Sequence, residues 1–172
     1  MKKYYVLLFV FVSVAIMFSS CNKYEEGPSF SLLSATKRIV GTWELKETTI
    51  NDTVVDLNDM IDMLGESELD SISDMGFDIS QIDITAVKVT FEKDGDGNFF
   101  FAISMSGFPF SRTEYMTWEF DEDKEDVEIT IMSEIQIFEI LRLSNSELWL
   151  RRIEEQGGLT TTTVMKLEKE KD

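Results

Sequence analysis

The fold is decided by Ile39-Val40-Gly41-Thr42-Trp43-Glu44-Leu45-Lys46-Glu47-Thr48-Thr49-Ile50, residues 39–50 of a chain of 172 residues. After Gly41, the side chains of Trp43, Leu45 and Glu47 fall on one face, and polar side chains alternate with them. Alternation with a period of two is typical of a β-strand with one buried face. Because an Asn-Asp turn signal follows at residues 51–52, residues 53–55 are predicted to return as a short second strand.

The same alternation continues through the second half of the chain. Val87, Val89 and Phe91 share one face of a predicted strand, and residues 93–98 then separate it from the next one. The Asp-Gly and Gly-Asn pairs in that segment predict a hairpin rather than a calcium loop, which would need a glutamate at its twelfth position. About eight strands at regular spacing are typical of an antiparallel barrel or sandwich.

Two neighbouring strands carry candidate residues for the lining of an apolar interior. One strand contributes two of them and the next contributes three: Phe99, Phe101, Met116, Trp118 and Phe120. In a small barrel, such side chains either surround one ligand or fill the interior themselves. The pattern leaves both alternatives open, and phenylalanine side chains are well suited to a packed interior.

Residues 56–76 interrupt the strand pattern. Leu57, Met60, Ile61 and Leu64 fall on one face of a helix, so a short helical insertion is predicted after the first strand. The insertion is expected either to pack on the outside of the sheet or to cover one end as a lid.

The segment Gly41-Thr42-Trp43, which follows a short predicted helical turn, resembles the opening motif of lipocalins and lipocalin-like proteins. The resemblance implies that residues 30–172 form an eight-stranded antiparallel up-and-down barrel that can hold a small apolar ligand. It also implies that Gly41 lets the chain bend inward, that Trp43 closes one end, and that an arginine from a late strand covers this tryptophan. Arg151 or Arg152 could serve, and Arg151 is the predicted barrel-closing residue.

The amino terminus has the features of a secretion signal. Lys2 and Lys3 precede an apolar run, which is too short to cross a bilayer as a helix and ends at Phe18-Ser19-Ser20-Cys21. This segment resembles the lipobox of bacterial lipoproteins, although Phe18 stands where the family prefers leucine.

The resemblance implies a signal peptide over residues 1–20, cleavage after Ser20, and acylation of Cys21 by chains such as palmitate. Residues 21–29 would form the acylated cysteine and a flexible tether. The expected location is the outer membrane, on either the periplasmic face or the cell surface.

The composition narrows the possible functions. A net charge of -17 disfavours binding to nucleic acid, whose phosphates it repels. The chain has no histidine and a single cysteine, which excludes a Ser-His-Asp triad and zinc sites built from imidazole or several thiolates. No cofactor, metal site or catalytic residue is predicted, and the protein is not expected to be an enzyme.

Two functions remain after these exclusions. The first is a membrane-anchored lipoprotein whose barrel binds a small apolar ligand at the cell envelope. The alternative is a structural or interaction lipoprotein with a filled barrel, which contacts an envelope protein partner.

Overall fold

The structure is a computed structural model that describes residues 24–25, 33–59 and 82–171. One helix, α1 (Ala35–Ile39), precedes nine strands in these ranges: β1 (Gly41–Ile50), β2 (Thr53–Val55), β3 (Ile82–Phe91), β4 (Asp96–Met105), β5 (Phe108–Phe120), β6 (Asp126–Ile131), β7 (Glu134–Leu143), β8 (Glu147–Gln156) and β9 (Leu159–Lys169). None of the helical segments in the described ranges has the length and apolar character that a membrane span requires.

The strands form one antiparallel sheet in the order β2-β1-β3-β4-β5-β6-β7-β8-β9, and pairing of β1 with β9 closes it. The eight strands other than β2 therefore make a closed up-and-down barrel, as predicted. The short strand β2 pairs only with the last residues of β1, Thr48–Ile50, which confirms the predicted return strand. The hairpin predicted at residues 93–98 is also present, between β3 and β4.

The barrel has two structurally different ends. Helix α1 and the β3–β4, β5–β6 and β7–β8 turns lie at one end, which we call the closed end. The other four hairpins turn at the opposite end, which we call the mouth end. Each of these turns has two residues, and all of them have positive φ angles: Asn51-Asp52, Ser106-Gly107, Met132-Ser133 and Gly157-Gly158. Such turns match the right-handed twist of the flanking strands.

Trp43 lies buried at the closed end of the barrel. Its side chain is 0% exposed, and its indole Nε1 donates a hydrogen bond to the carbonyl oxygen of Ile39 at 2.6 Å. Gly41 precedes it with a φ of +133°, and a Cβ atom there would lie 2.5 Å from Cε of Lys169. A side chain at position 41 would therefore be strained in its backbone and would collide with Lys169.

The cation over Trp43 is Lys169 from β9, so the prediction that Arg151 closes the barrel is wrong. Nζ of Lys169 lies 4.9 Å from the centre of the Trp43 rings, and it donates hydrogen bonds to the carbonyl oxygens of Arg38 and Val40 at 2.8 and 2.5 Å. Arg151 instead forms two hydrogen bonds with the carboxylate of Glu139 on β7, at 2.7 and 2.8 Å.

A β-bulge changes which face the second half of β1 presents. The pairing with β9 shifts between Leu45 and Glu47, so the predicted alternation ends after Leu45. Thr48 is buried instead of Glu47, and the carboxylate of Glu47 accepts a hydrogen bond from Lys166 at 2.6 Å. The extra residue of a bulge reverses the inward and outward positions that follow it.

Tyr24 lies in the closed end, although it belongs to the segment predicted to be a flexible tether. Its ring is 3% exposed and packs with the core, and its hydroxyl donates a hydrogen bond to the carbonyl oxygen of Lys124 at 3.1 Å. The guanidinium of buried Arg38 lies 5.7 Å from the ring centre. Burial raises the pKa of the Tyr24 hydroxyl above its ordinary value, and the nearby Arg38 cation partly opposes that effect.

Most of the predicted helical insertion lies outside the described residues, which include only positions 56–59 of it. At its start, Oδ1 of Asp56 accepts a hydrogen bond from the backbone N–H of Asn58 at 2.9 Å, and Oδ2 of Asp59 accepts one from the N–H of Asp56 at 3.3 Å. Asn58 in turn accepts a hydrogen bond from the N–H of Ile84 at 2.7 Å, which ties this segment to the first residues of β3.

Candidate functional site: an apolar cavity with a polar edge

A cavity of about 350 Å³ occupies the interior of the barrel. Each of the eight barrel strands contributes an apolar side chain to it: Leu45, Val89, Phe99, Met116, Ile129, Phe138, Leu150 and Met165. Ligand pockets in proteins start at about 300 Å³, so the cavity is large enough for one small molecule. The interior is therefore not filled by its own side chains.

Two of the five predicted lining residues line this cavity, and a third lines only the space next to it. Phe99 and Met116 line the cavity itself. Phe101 and Phe99 also line a neighbouring groove of about 420 Å³. The groove exists because β5 begins at Phe108 but pairs with β6 only from Met116 onward, so the first part of β5 has no partner strand on that side.

Trp118 and Phe120 do not line the cavity, in contrast to the prediction. The indole of Trp118 packs edge-on against Phe91 and Phe120, with ring centres 5.4 and 5.5 Å apart. Its Nε1 donates hydrogen bonds to the carbonyl oxygens of Glu92 and Asp96 at 3.1 and 3.0 Å. These bonds hold the β3–β4 turn against the closed end. Trp118 therefore lies between the cavity and the closed end, where it stabilises the turn.

The edge of the cavity toward the mouth end is polar. Arg152 on β8 lies there, and its Nη1 donates a hydrogen bond to Oε1 of Gln136 at 3.3 Å. Its Nη2 lies 2.7 Å from Oε1 of Glu154, and its guanidinium is 6.0 Å from the centre of the Phe138 ring. The cavity therefore combines an apolar body with a small cluster of hydrogen-bonding groups, as binding sites for amphipathic molecules do.

A second arginine faces the groove beside the cavity. Arg112 on β5 donates a hydrogen bond from Nε to Oε1 of Glu114, and both residues line the groove together with Gln136. The Arg112 side chain is 72% exposed, so this ion pair is largely solvated. Gln136 contributes to both spaces, which makes the groove a continuation of the polar edge.

The inward position of Arg152 could have been predicted from its spacing. Leu148, Leu150 and Arg152 lie two residues apart on β8, and a strand without a bulge keeps such residues on one face. The lipocalin resemblance instead implied that a late arginine covers Trp43 at the closed end. The lysine that has this role, Lys169, lies in a charged terminal segment with no distinctive pattern.

The structure defines a class of protein, the closed antiparallel barrel with an internal apolar cavity, and the sequence supports a grouping within that class. Residues 39–150 match the family described as "Lipocalin-like domain", which is more than half of the chain. The chain therefore belongs to the lipocalin-like domain family.

Solved structures to which the chain is similar include bovine odorant binding protein in complex with a selenium-containing odorant, at 14% identity, coverage of 83% of this chain and 77% of that chain, and a TM-score of 0.44. The bovine lipocalin allergen Bos d 2 is similar at 14% identity, with coverage of 78% and 75% and a TM-score of 0.43. The siderocalin Ex-FABP is similar at 10% identity, with coverage of 77% and 74% and a TM-score of 0.41. A comparison with curated protein sequences found no match.

Proposed function

We propose that this protein is a lipid-anchored, non-enzymatic lipoprotein that binds a small, largely apolar ligand inside its barrel. The observation that carries the ligand-binding part is the cavity of about 350 Å³, to which all eight barrel strands contribute. Protein interiors are ordinarily packed with few voids larger than a water molecule. An apolar space of this size costs stability when it is empty, so its retention supports a binding role.

The ionisable groups support binding rather than catalysis. Asp126 is the carboxylate whose pKa is raised by burial and by the neighbouring acids Asp121, Glu139 and Glu125. It begins β6 at the closed end, whereas the apolar cavity opens toward the mouth end. Its perturbed pKa thus belongs to a charged turn and not to the proposed ligand site.

Ligand binding is tested with residues 22–172, which include every described residue and a barrel that closes on itself through β1 and β9. Native mass spectrometry and displacement of a fluorescent apolar probe should detect one bound molecule per chain. Met165→Trp places a larger side chain in the cavity and should abolish binding.

The matched control for that variant is Ile153→Trp, because Ile153 is 57% exposed on the next strand and does not line the cavity. Melting curves verify that both variants fold. Binding that is equally strong in the wild type and in both variants would exclude the cavity as the site.

The anchor is the part of the proposal that rests on the sequence. The thiol of Cys21 is the acyl acceptor that the lipobox resemblance implies, and two or three acyl chains hold a protein on a bilayer far more firmly than one. In cells fed an alkyne analogue of palmitate, the wild type should be labelled and should sediment with the outer membrane. Cys21→Ser should remove the label, whereas Ser20→Ala, which keeps a small residue, should retain it. A labelled Cys21→Ser protein would refute this anchor.

The proposed anchor and the barrel are joined at the closed end. Tyr24 lies three residues after Cys21 and is buried beside Arg38. Three residues span at most about 11 Å, so the closed end would stand next to the bilayer and the mouth end would point away from it. This arrangement holds for either the periplasmic face or the cell surface, and it predicts exchange of ligand with the aqueous phase.

An interaction role is the second candidate, and the observation that favours it is the exposure of aromatic residues on the first part of β5. Phe108 and Phe110 are 67% and 43% exposed at the mouth end. Crosslinking in membranes should recover an envelope protein from the wild type and lose it in Phe108→Ser, while Tyr115→Ser, another exposed aromatic on β5, serves as the control. Failure to recover the same partner repeatedly would reject this role.

A further inference from the structure

Arg152 is a charged residue on the inner wall of a mainly apolar cavity. It pairs across the sheet with Thr163, which also lines the cavity, and Leu150 precedes it on the same face of β8. A cation at the edge of an apolar space loses part of its hydration, and this loss requires compensation by hydrogen bonds or an opposite charge. Arg152 receives part of that compensation from Gln136 and Glu154.

The other cation that lines the cavity, Lys88, does not offer its charge to the interior. Its ammonium group donates a hydrogen bond to the carboxylate of Glu170, beyond the end of β9. The two neighbouring residues on β3, Val87 and Val89, are the ones buried in the core. Of the two cations that line the cavity, Arg152 is therefore the one whose charged group lies at the cavity edge.

The partners of Arg152 leave donors for a ligand. A guanidinium carries five N–H donors, and the contacts with Gln136 and Glu154 involve one terminal nitrogen each. Glu154 is 51% exposed, so its pair with Arg152 is screened by water and contributes little stability. Glu154 can consequently return to solvent at low cost when another anion approaches Arg152.

A carboxylate is the anion that fits this exchange. It matches the planar fork of a guanidinium with two parallel hydrogen bonds, which are stronger than bonds between neutral groups. Above the guanidinium the cavity edge leads into the groove that Gln136 shares, and below it lie the apolar walls around Phe138 and Leu150. A molecule with one apolar end and one carboxylate end would place each end in matching surroundings.

On the basis of the proposed ligand-binding function, we propose that the ligand is an amphipathic carboxylate, whose apolar part occupies the cavity and whose carboxylate binds Arg152. Glu154 acts as the counter-ion of Arg152 in the empty protein, and the ligand replaces it. The specificity of the site thus depends on charge at its edge as well as on the size of its apolar part.

The test compares three probes of equal chain length, which are decanoate, decanol and decylamine, binding to residues 22–172 at pH 7. The wild type should bind decanoate about tenfold more tightly than decanol, because hydrogen bonds between charged groups are the stronger kind. Decylamine should bind more weakly than decanol, since its ammonium group meets the Arg152 cation.

Two variants should change the affinity for decanoate in opposite directions. Arg152→Gln should lower that affinity to about the level of decanol and leave decanol binding within about twofold. Glu154→Gln removes the competing carboxylate and should raise the affinity for decanoate several-fold. Arg151→Gln alters the adjacent residue, which pairs with Glu139, and should change neither affinity.

The outcomes separate this inference from the proposed function. Equal affinities for decanoate and decanol in the wild type and in Arg152→Gln would overturn the carboxylate inference and leave a binding cavity. A weaker affinity for decanoate in Glu154→Gln would also overturn it. The absence of binding for all three probes, in a protein that melts cooperatively, would count against the binding function itself.

Discussion

The two ends of this barrel are built on different physical principles. At the closed end, Trp43, Phe91, Leu143 and Leu148 are fully or almost fully buried, and helix α1 covers them. At the mouth end, large apolar side chains such as Phe108 and Leu159 are exposed, and tight turns contain residues other than glycine with positive φ angles. The closed end is stabilised by side-chain packing, whereas the mouth end leaves apolar side chains exposed to solvent.

The difference indicates how stability and binding are divided within one barrel. A packed end resists unfolding because its side chains lose contacts on all sides when it opens. Strained turns and exposed apolar groups cost stability, and they are typically retained where a ligand or partner must approach. Substitutions of the packed residues at the closed end and of the turn residues at the mouth end should therefore have opposite effects on the free energy of unfolding.

The largest effect is expected at Trp43. Trp43→Ala removes a fully buried indole and its hydrogen bond to Ile39, and should lower the free energy of unfolding by about 3–5 kcal/mol. Trp149→Ala is the matched control, because Trp149 is only half-buried and lies between Arg142 and Lys166. Urea unfolding followed by circular dichroism measures both. Similar losses in the two variants would contradict a stability centre at the closed end.

The second-largest effect on stability is expected at Lys169, the cation that lies over Trp43. Lys169→Met keeps much of the side-chain volume but leaves the carbonyl groups of Arg38 and Val40 without the ammonium donor, which should cost about 1–3 kcal/mol. Lys166→Met removes a lysine of the same strand that pairs with partly exposed Glu47, and should cost less than about 1 kcal/mol. Thermal melting of both variants provides the comparison, and an equal loss would argue against a closing role for Lys169.

The mouth end should respond in the opposite direction. Met132 and Ser133 form the β6–β7 turn with φ angles of 52° and 70°, a conformation that asparagine and glycine adopt more readily. Met132→Asn combined with Ser133→Gly should therefore raise the free energy of unfolding by about 1 kcal/mol. Amide hydrogen exchange in the β5–β6 turn at the closed end should be unchanged in the same double variant. A destabilised double variant would show that the turn is not strained.

The smallest expected effect is at Asp126 in the acidic part of the closed end. Burial and the nearby acids raise its pKa above the ordinary value of 3.8, so its charge opposes folding near neutral pH. Asp126→Asn should add about 0.3 kcal/mol at pH 7. The advantage should shrink as the pH falls through the raised pKa, because wild-type Asp126 then becomes neutral in the folded state.

Urea midpoints at pH 7 and near pH 4 test the sign of this effect. Asp123→Asn changes an exposed acid of the same turn and should have a smaller effect at both values. An advantage of Asp126→Asn that grows toward low pH would contradict the proposed repulsion.

Local sequence patterns were sufficient to predict the strands and turns, because a strand with one buried face requires apolar residues at every second position. The roles expected for Gly41 and Trp43 came from the resemblance of one short segment to the lipocalin motif. Local patterns were not sufficient for Trp118, which has the same alternation as Met116 but lies too near the closed end to reach the cavity. The height of a residue along the barrel depends on the stagger of neighbouring strands, and no single segment encodes it.

The class of fold and the family could be inferred from the sequence, because alternation, turn residues and short motifs are local properties, and the proposed lipid attachment at Cys21 rests on the sequence alone. The local patterns did not reveal that Lys169 rather than Arg151 covers Trp43, or that Thr48 replaces Glu47 in the core, and both became clear from the tertiary structure. The physical reason is that each of these outcomes depends on strand register across the closure of β1 with β9. Residues more than one hundred positions apart, such as Arg38 and Lys169, become neighbours there.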